Sequence, residues 1–140
     1  MADRLCAEAG SNDYGSITAA VNLCGTARKL FTVPAGCFYP APKVTSAVVQ
    51  ITLYKNGVRE AFPDLPEDNE ELDRLIGYAK KLIGAAFAQR RKTLTNALSS
   101  VCPKDKTEKA LAELGIRTDI RGEKLSAADF VSIAKLVREI

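Results

Sequence analysis

The sequence predicts an α/β segment of two helices and one antiparallel strand pair, followed by a small all-α domain. Three observations carry this. Apolar residues alternate with polar ones only between residues 27 and 54, and recur at helical spacing elsewhere. Residues 55–69 hold Gly57, Pro63, Pro66 and a crowd of acids, the composition of a boundary. Every apolar run beyond that boundary is framed by capping residues or helix stops.

Residues 2–9 read as the end of a helix, with Gly10 as its stop. Residues 16–24 form a second helix, because Ile17, Ala20, Val21 and Cys24 recur at helical spacing and Gly25 ends the run. Ala27 to Val33 reads as a strand that Pro34 and Gly36 break. Ser46 to Tyr54 is the clearest strand, rich in β-branched residues, with Val49, Ile51 and Leu53 alternating with Gln50 and Thr52. Asn56-Gly57 then signals a turn.

Asn69 is placed to cap a helix over 70–87, whose Leu72, Leu75, Ile76, Ala79, Leu82, Ile83, Ala86 and Phe87 share one face. Acids at its start and lysines at its end would each complement the helix dipole by about 0.3–1 kcal/mol. Thr93 would cap a short helix to Ser100, and Cys102-Pro103 would stop it. Asp105 to Glu108 fits a capping box for a helix ending at Gly115. Ser126 to Asp129 fits another, opening a last helix with Phe130, Ile133, Ala134 and Val137 inward. The chain therefore divides into 1–56, a linker over 57–69, and 70–140. Two strands make a poor sheet by themselves, whereas the helical part has the makings of a bundle that folds alone.

An apolar share of 46% and a charged share of 26% in 140 residues are those of a globular protein. No apolar run approaches the roughly 18–20 residues of a membrane span. No signal peptide opens the chain, so the cytoplasm is the expected compartment. Cys6, Cys24, Cys37 and Cys102 form no Cys-x-x-Cys pair, and with no histidine present a metal site is not expected. The same lack excludes imidazole as base or nucleophile. Net charge is only +3 but uneven. Residues 59–79 hold seven acids against two bases, a balance of −5; residues 80–106 hold seven bases against one acid, a balance of +6.

Two stretches carry chemistry. In Phe38-Tyr-Pro-Ala-Pro-Lys-Val, Pro40 and Pro42 stiffen an extended loop. A held aromatic beside Lys43 suits a flat, anionic ligand such as a nucleotide base; an aromatic in such a place also serves as a plug over a core. Gln89-Arg90-Arg91-Lys92-Thr93 puts three cations in a turn between helices. The arginine fork and the N–H groups of the next helix make this a phosphate-binding surface, or else a solvated basic corner. A DNA-reading helix-turn-helix is the poorer fit, because the cations lie in the turn rather than along the second helix.

The motifs, in order, resemble one family. They are Gly10-Ser11-x-Asp13-Tyr14-Gly15, Val33-Pro34, Phe38-x-Pro40-x-Pro42-Lys43-Val44-x-Ser46-Ala47-Val48, Phe87-x-Gln89-Arg90-Arg91-Lys92-Thr93-Leu94, and Arg121-x-Glu123-x-Leu125-Ser126-x-x-Asp129-Phe130. They look like the bacterial small-subunit ribosomal RNA adenine N6-dimethyltransferases, the KsgA family. Ala35, Thr45 and Thr95 depart from its usual Pro, Asp and Arg.

The resemblance implies that the chain is a C-terminal portion of such an enzyme. Residues 1–56 would be the closing edge of a Rossmann-like methyltransferase domain, and 70–140 a helical rRNA-binding domain. The parent would place methyl groups from S-adenosylmethionine on two adjacent adenines near the 3′ end of small-subunit rRNA. Phe38 would stack on the extruded target adenine. Arg90, Arg91 and Lys92 would contact rRNA phosphate, and Lys43 would support the substrate entrance. The partner would be the 30S precursor, bound by a monomer without metal or membrane. The family's Gly-rich donor loop and Asn-x-Pro-aromatic motif do not occur here, so the chain by itself is not expected to turn over. A non-catalytic RNA-docking or ribosome-assembly module is the alternative.

Overall fold

The computed structural model of the chain describes residues 1–139. Its order is α1 (Ala2–Leu5), α2 (Ser16–Cys24), β1 (Gly25–Val33), β2 (Ser46–Leu53), α3 (Val58–Ala61), α4 (Asn69–Ala88), α5 (Leu94–Ala97), α6 (Lys104–Glu113) and α7 (Ala127–Glu139). Short 3-10 turns at Ala35–Cys37, Leu98–Ser100 and Gly122–Lys124 fill in between them.

β1 and β2 form a two-stranded antiparallel ribbon running from Gly25↔Leu53 to Val33↔Ser46, with a bulge between Lys29 and Phe31. Gly25 is required where it stands, since a Cβ there would lie 2.1 Å from the Thr52 carbonyl oxygen. Val49, Ile51 and Leu53 do share one face, as their alternation predicts. Yet Ile51 stays 49% exposed and Leu53 67%. α2 crosses only one end of that face, leaving a cleft lined by Ile17, Val21, Cys24, Ile51 and Leu53.

The core lies elsewhere. Leu75, Ala79, Leu82, Ile83 and Ala86 of α4 pack against Phe130, Ile133, Ala134 and Val137 of α7. Leu94, Leu98 and Leu111 close the other side. The same cluster takes in Tyr14, Ala19 and Leu23, so α2 is built into the helical core. The stretch over 57–69 is also tied down. It contains α3, buries Phe62 edge-on to Tyr54, and uses Arg59 to hold Asn69 Oδ1 and the Pro66 and Glu67 carbonyls.

Several caps differ from expectation. Asp68, not Asn69, caps α4: its carboxylate accepts from the Glu71 N–H at 2.8 Å. Lys80 and Lys81 lie two turns before the end of α4, whose last turn carries no base, so the expected dipole pairing there is absent. α6 starts after Pro103 with no side-chain cap, so Asp105 and Glu108 form no box. α1 stops at Leu5 rather than running to residue 9. The last box does form, with Ser126 N–H donating to Asp129 Oδ2 at 3.0 Å and Asp129 N–H to Ser126 Oγ at 3.2 Å.

Among the described residues, no helix is long and apolar enough to cross a membrane. No cluster of His, Cys, Asp and Glu among them is arranged to hold a metal ion.

Candidate nucleic-acid interface

The proline loop is strapped at its base by the Val33↔Ser46 pair. Inside it, the Cys37 N–H donates to the Pro34 carbonyl at 3.0 Å and the Phe38 N–H to the Ala35 carbonyl at 3.2 Å. These bonds and the prolines fix the backbone that carries Phe38. The Phe38 ring is 44% exposed and takes no part in the core cluster, so it does not plug the fold. Lys43 is exposed on the returning limb. Among the described residues it pairs with no carboxylate.

The basic turn begins where Gln89 leaves the helix at φ −130°, ψ 64°, and closes with the Lys92 N–H on the Gln89 carbonyl at 3.0 Å. Its three cations are not equivalent. Arg90 Nη2 donates to the Tyr14 carbonyl at 3.1 Å and sits 3.9 Å from Glu123. Arg91 and Lys92 are exposed, and no carboxylate among the described residues pairs with them. Thr93 precedes α5 but makes no cap bond to it; its hydroxyl accepts from Asn96 Nδ2 at 3.0 Å. The Leu94 N–H goes to the Ile120 carbonyl at 2.7 Å. α5 has only one turn and its first donor is spent, so the positive field here comes from the side chains rather than from a helix end.

Tyr14 anchors this corner. Its ring meets Phe87 edge-on at 5.6 Å, and its hydroxyl donates to the Leu125 carbonyl at 2.6 Å. Burial first, and the charge of Asp129 second, push its phenol up to about 12. Gly10 adds a bond to the Glu123 carbonyl at 2.8 Å. Three distant parts of the chain thus fix where Arg90 stands.

α1 bridges the two features. Ala2, Asp3 and Leu5 share a cleft of about 720 Å³ with Thr45, Ser46 and Ala47, where the proline loop returns to β2. Arg4 shares a smaller cleft, about 130 Å³, with Gly15, Ser16, Phe87 and Arg90. Asp3 and Lys29 hold α1 against β1 at 2.9 Å; the pair lowers the carboxyl pKa and raises that of the ammonium.

Sequence reasoning missed two contributions. Arg4 carries no signal in the sequence beyond its place in a helix end. Arg117, Arg121 and Lys124 line a cleft of about 500 Å³ beside the basic turn, with Asp119 and Glu123 among them. The only advance sign was Arg121 inside the Arg-x-Glu motif.

The family model described as ribosomal RNA adenine dimethylase matches residues 1–139. A ribosomal RNA small subunit methyltransferase A from Geobacillus kaustophilus is 39% identical over 139 residues, covering 96% of this chain and 43% of the relative. One from Chlamydia muridarum is 33% identical, covering 99% and 46%. This chain thus spans less than half the length of these relatives. Among solved structures, a dimethyladenosine transferase from Plasmodium falciparum superposes with a TM-score of 0.69 at 20% identity, over 94% of this chain and 51% of that one. The 23S rRNA methyltransferase ErmE gives 0.59 at 15% identity, over 93% and 50%. These last two speak for the shared fold.

Proposed function

Because this chain belongs to the ribosomal RNA adenine dimethylase family, we propose that it does the RNA-facing work of an rRNA adenine N6-dimethyltransferase. In this reading residues 1–56 close a Rossmann-like methyltransferase domain, 57–69 link, and 70–140 dock on small-subunit rRNA in the 30S precursor. The target bases are two adjacent adenines near its 3′ end, Phe38 stacks on the extruded one, and Lys43 lines its entrance. Arg90, Arg91 and Lys92 hold backbone phosphate. What supports the reading is a half-exposed ring on a strapped loop and a cationic turn in one chain, with α1 beside both the returning limb of that loop and Arg90.

S-adenosylmethionine is the methyl donor this family implies. The residues described here do not make its site. The chain has no Gly-rich loop to cradle the donor. The donor is therefore assigned to the part of the enzyme that the relatives carry beyond this match.

That asymmetry favours a second reading, in which the chain acts as a docking module without transfer. Incubation of 30S particles with labelled S-adenosylmethionine, run once with the full-length enzyme and once with this chain, separates the assignments: transfer by the full-length protein supports the enzyme reading, and none by either supports the docking module. Binding without label transfer is expected of this chain; transfer would put the donor site within it after all.

The RNA contact itself is tested by salt. Arg90 is tied to Tyr14, so the clean variant replaces Arg91 and Lys92 together with Ala. If each meets one phosphate of a single strand, the slope of log K against log salt falls by about 1.4. An unchanged slope would reduce the turn to a solvated corner.

A further inference from the structure

We infer that Tyr39 is a second base-stacking platform, holding the nucleotide beside the one that Phe38 takes. The inference rests on the RNA reading above and goes past it, since nothing in that reading assigns Tyr39 a role.

The four tyrosines show why. Tyr14, Tyr54 and Tyr78 each donate their hydroxyl to a backbone carbonyl, of Leu125, Asn22 and Val101 respectively. Tyr14 and Tyr54 also meet another ring edge-on. Tyr39 is 102% exposed, and among the described residues neither its ring nor its hydroxyl has a partner. A whole aromatic ring left in water is a large unspent contact surface, roughly 150–250 Å².

The ring is also held ready. Pro40 and Pro42 limit the backbone around it, and the strand pair and 3-10 turn pin the loop on both sides. A ligand stacking there orders no loop, which is where binding energy is usually lost. The two rings sit on adjacent residues where the chain bends, Phe38 half-exposed and Tyr39 wholly so. One base cannot lie on both rings. Tyr39 therefore receives a different base from Phe38.

Charge selects the kind of ligand. No acid occurs between Asp13 and Glu60, while Arg28, Lys43 and Lys55 do; Lys29 also lies there but is paired with Asp3. Single-stranded RNA, with flat bases on a polyanionic backbone, fits an exposed ring in such a field.

The chain has no tryptophan, so Tyr39→Trp gives a single reporter at the ring's own position. Titration with a short purine-rich single-stranded RNA should quench its emission. Tyr39→Ala should weaken binding about tenfold, while Tyr39→Phe should bind like the parent, because stacking needs the ring and not the hydroxyl. Phe38→Ala is measured alongside. Weakening by Phe38→Ala but not by Tyr39→Ala overturns this inference and leaves the RNA reading standing. Equal loss in Tyr39→Ala and Tyr39→Phe overturns stacking in favour of a hydrogen bond. No effect of either alanine, with no quenching, overturns this inference and the stacking role of Phe38 together, while failure of the parent chain itself to bind the RNA removes the RNA reading.

Discussion

The ribbon and the helical core are built from similarly apolar residues, yet they treat them in opposite ways. In α4 and α7 nearly every large apolar side chain on the inner face is sealed, with Leu82, Phe130 and Ile133 each fully buried. In β1 and β2 the apolar residues are mostly open, with Phe31 56%, Ile51 49% and Leu53 67% exposed. The difference follows from geometry. A helix presents its stripe to several neighbours at once. A two-stranded ribbon has two faces and two edges, and one nine-residue helix covers little of them. Alternation in sequence marks which face wants cover; it does not say that cover is present.

The sharpest way to break this contrast is to cut the same ring from both regions. Phe130→Ala should cost about 3–5 kcal/mol in urea unfolding, because a sealed ring leaves a cavity. Phe31→Ala should cost less than about 1 kcal/mol, because the removed atoms were already largely in water. Similar losses would mean that the ribbon is as tightly packed as the bundle.

A smaller effect sharpens the comparison through pH. The Tyr14 phenol, near 10 when unfolded, stands at about 12 when folded. Folding holds the proton, so its contribution is complete below pH 10 and is lost as pH climbs toward 12. The loss is roughly 2–3 kcal/mol. Tyr14→Phe should remove that part of the alkaline decline, while the rise at Tyr78, also to about 12, leaves a remainder. At pH 7 the variant should lose about 1–2 kcal/mol, since the buried Leu125 carbonyl loses its donor. Unfolding curves at pH 7 and pH 11 would show both. An unaltered alkaline decline would mean that Tyr14 does not govern it.

Much of the helical order was legible from local signals. Ser126 and Asp129 cap each other as their spacing says, and the α4 and α7 stripes bury the residues that periodicity selects, except Ile76 and Phe87, which stay partly exposed at the margin of α4. The shift of the α4 cap from Asn69 to Asp68 was not legible, because both residue types cap equally well and stand side by side. Nor was the firmness of 57–69 legible, where the composition of a loop hides the burial of Phe62 and the grip of Arg59. At the site, the proline loop and the three cations could be read from the chain. The tie from Arg90 to Tyr14 could not, since a contact between residues so far apart in sequence leaves no periodic trace.

The bond from Tyr14 to Leu125 joins positions 111 residues apart, and the Gly10 bond to Glu123 runs beside it. During synthesis the early loop has no seat until the segment around Leu125 leaves the exit tunnel. α2 can coil on its own timescale and meet β1 and α4 as they appear, but its contact with α7 waits until that helix is made. A polypeptide released short of that segment would keep the ring loop and the arginines while losing the clasp that sets Arg90 in place.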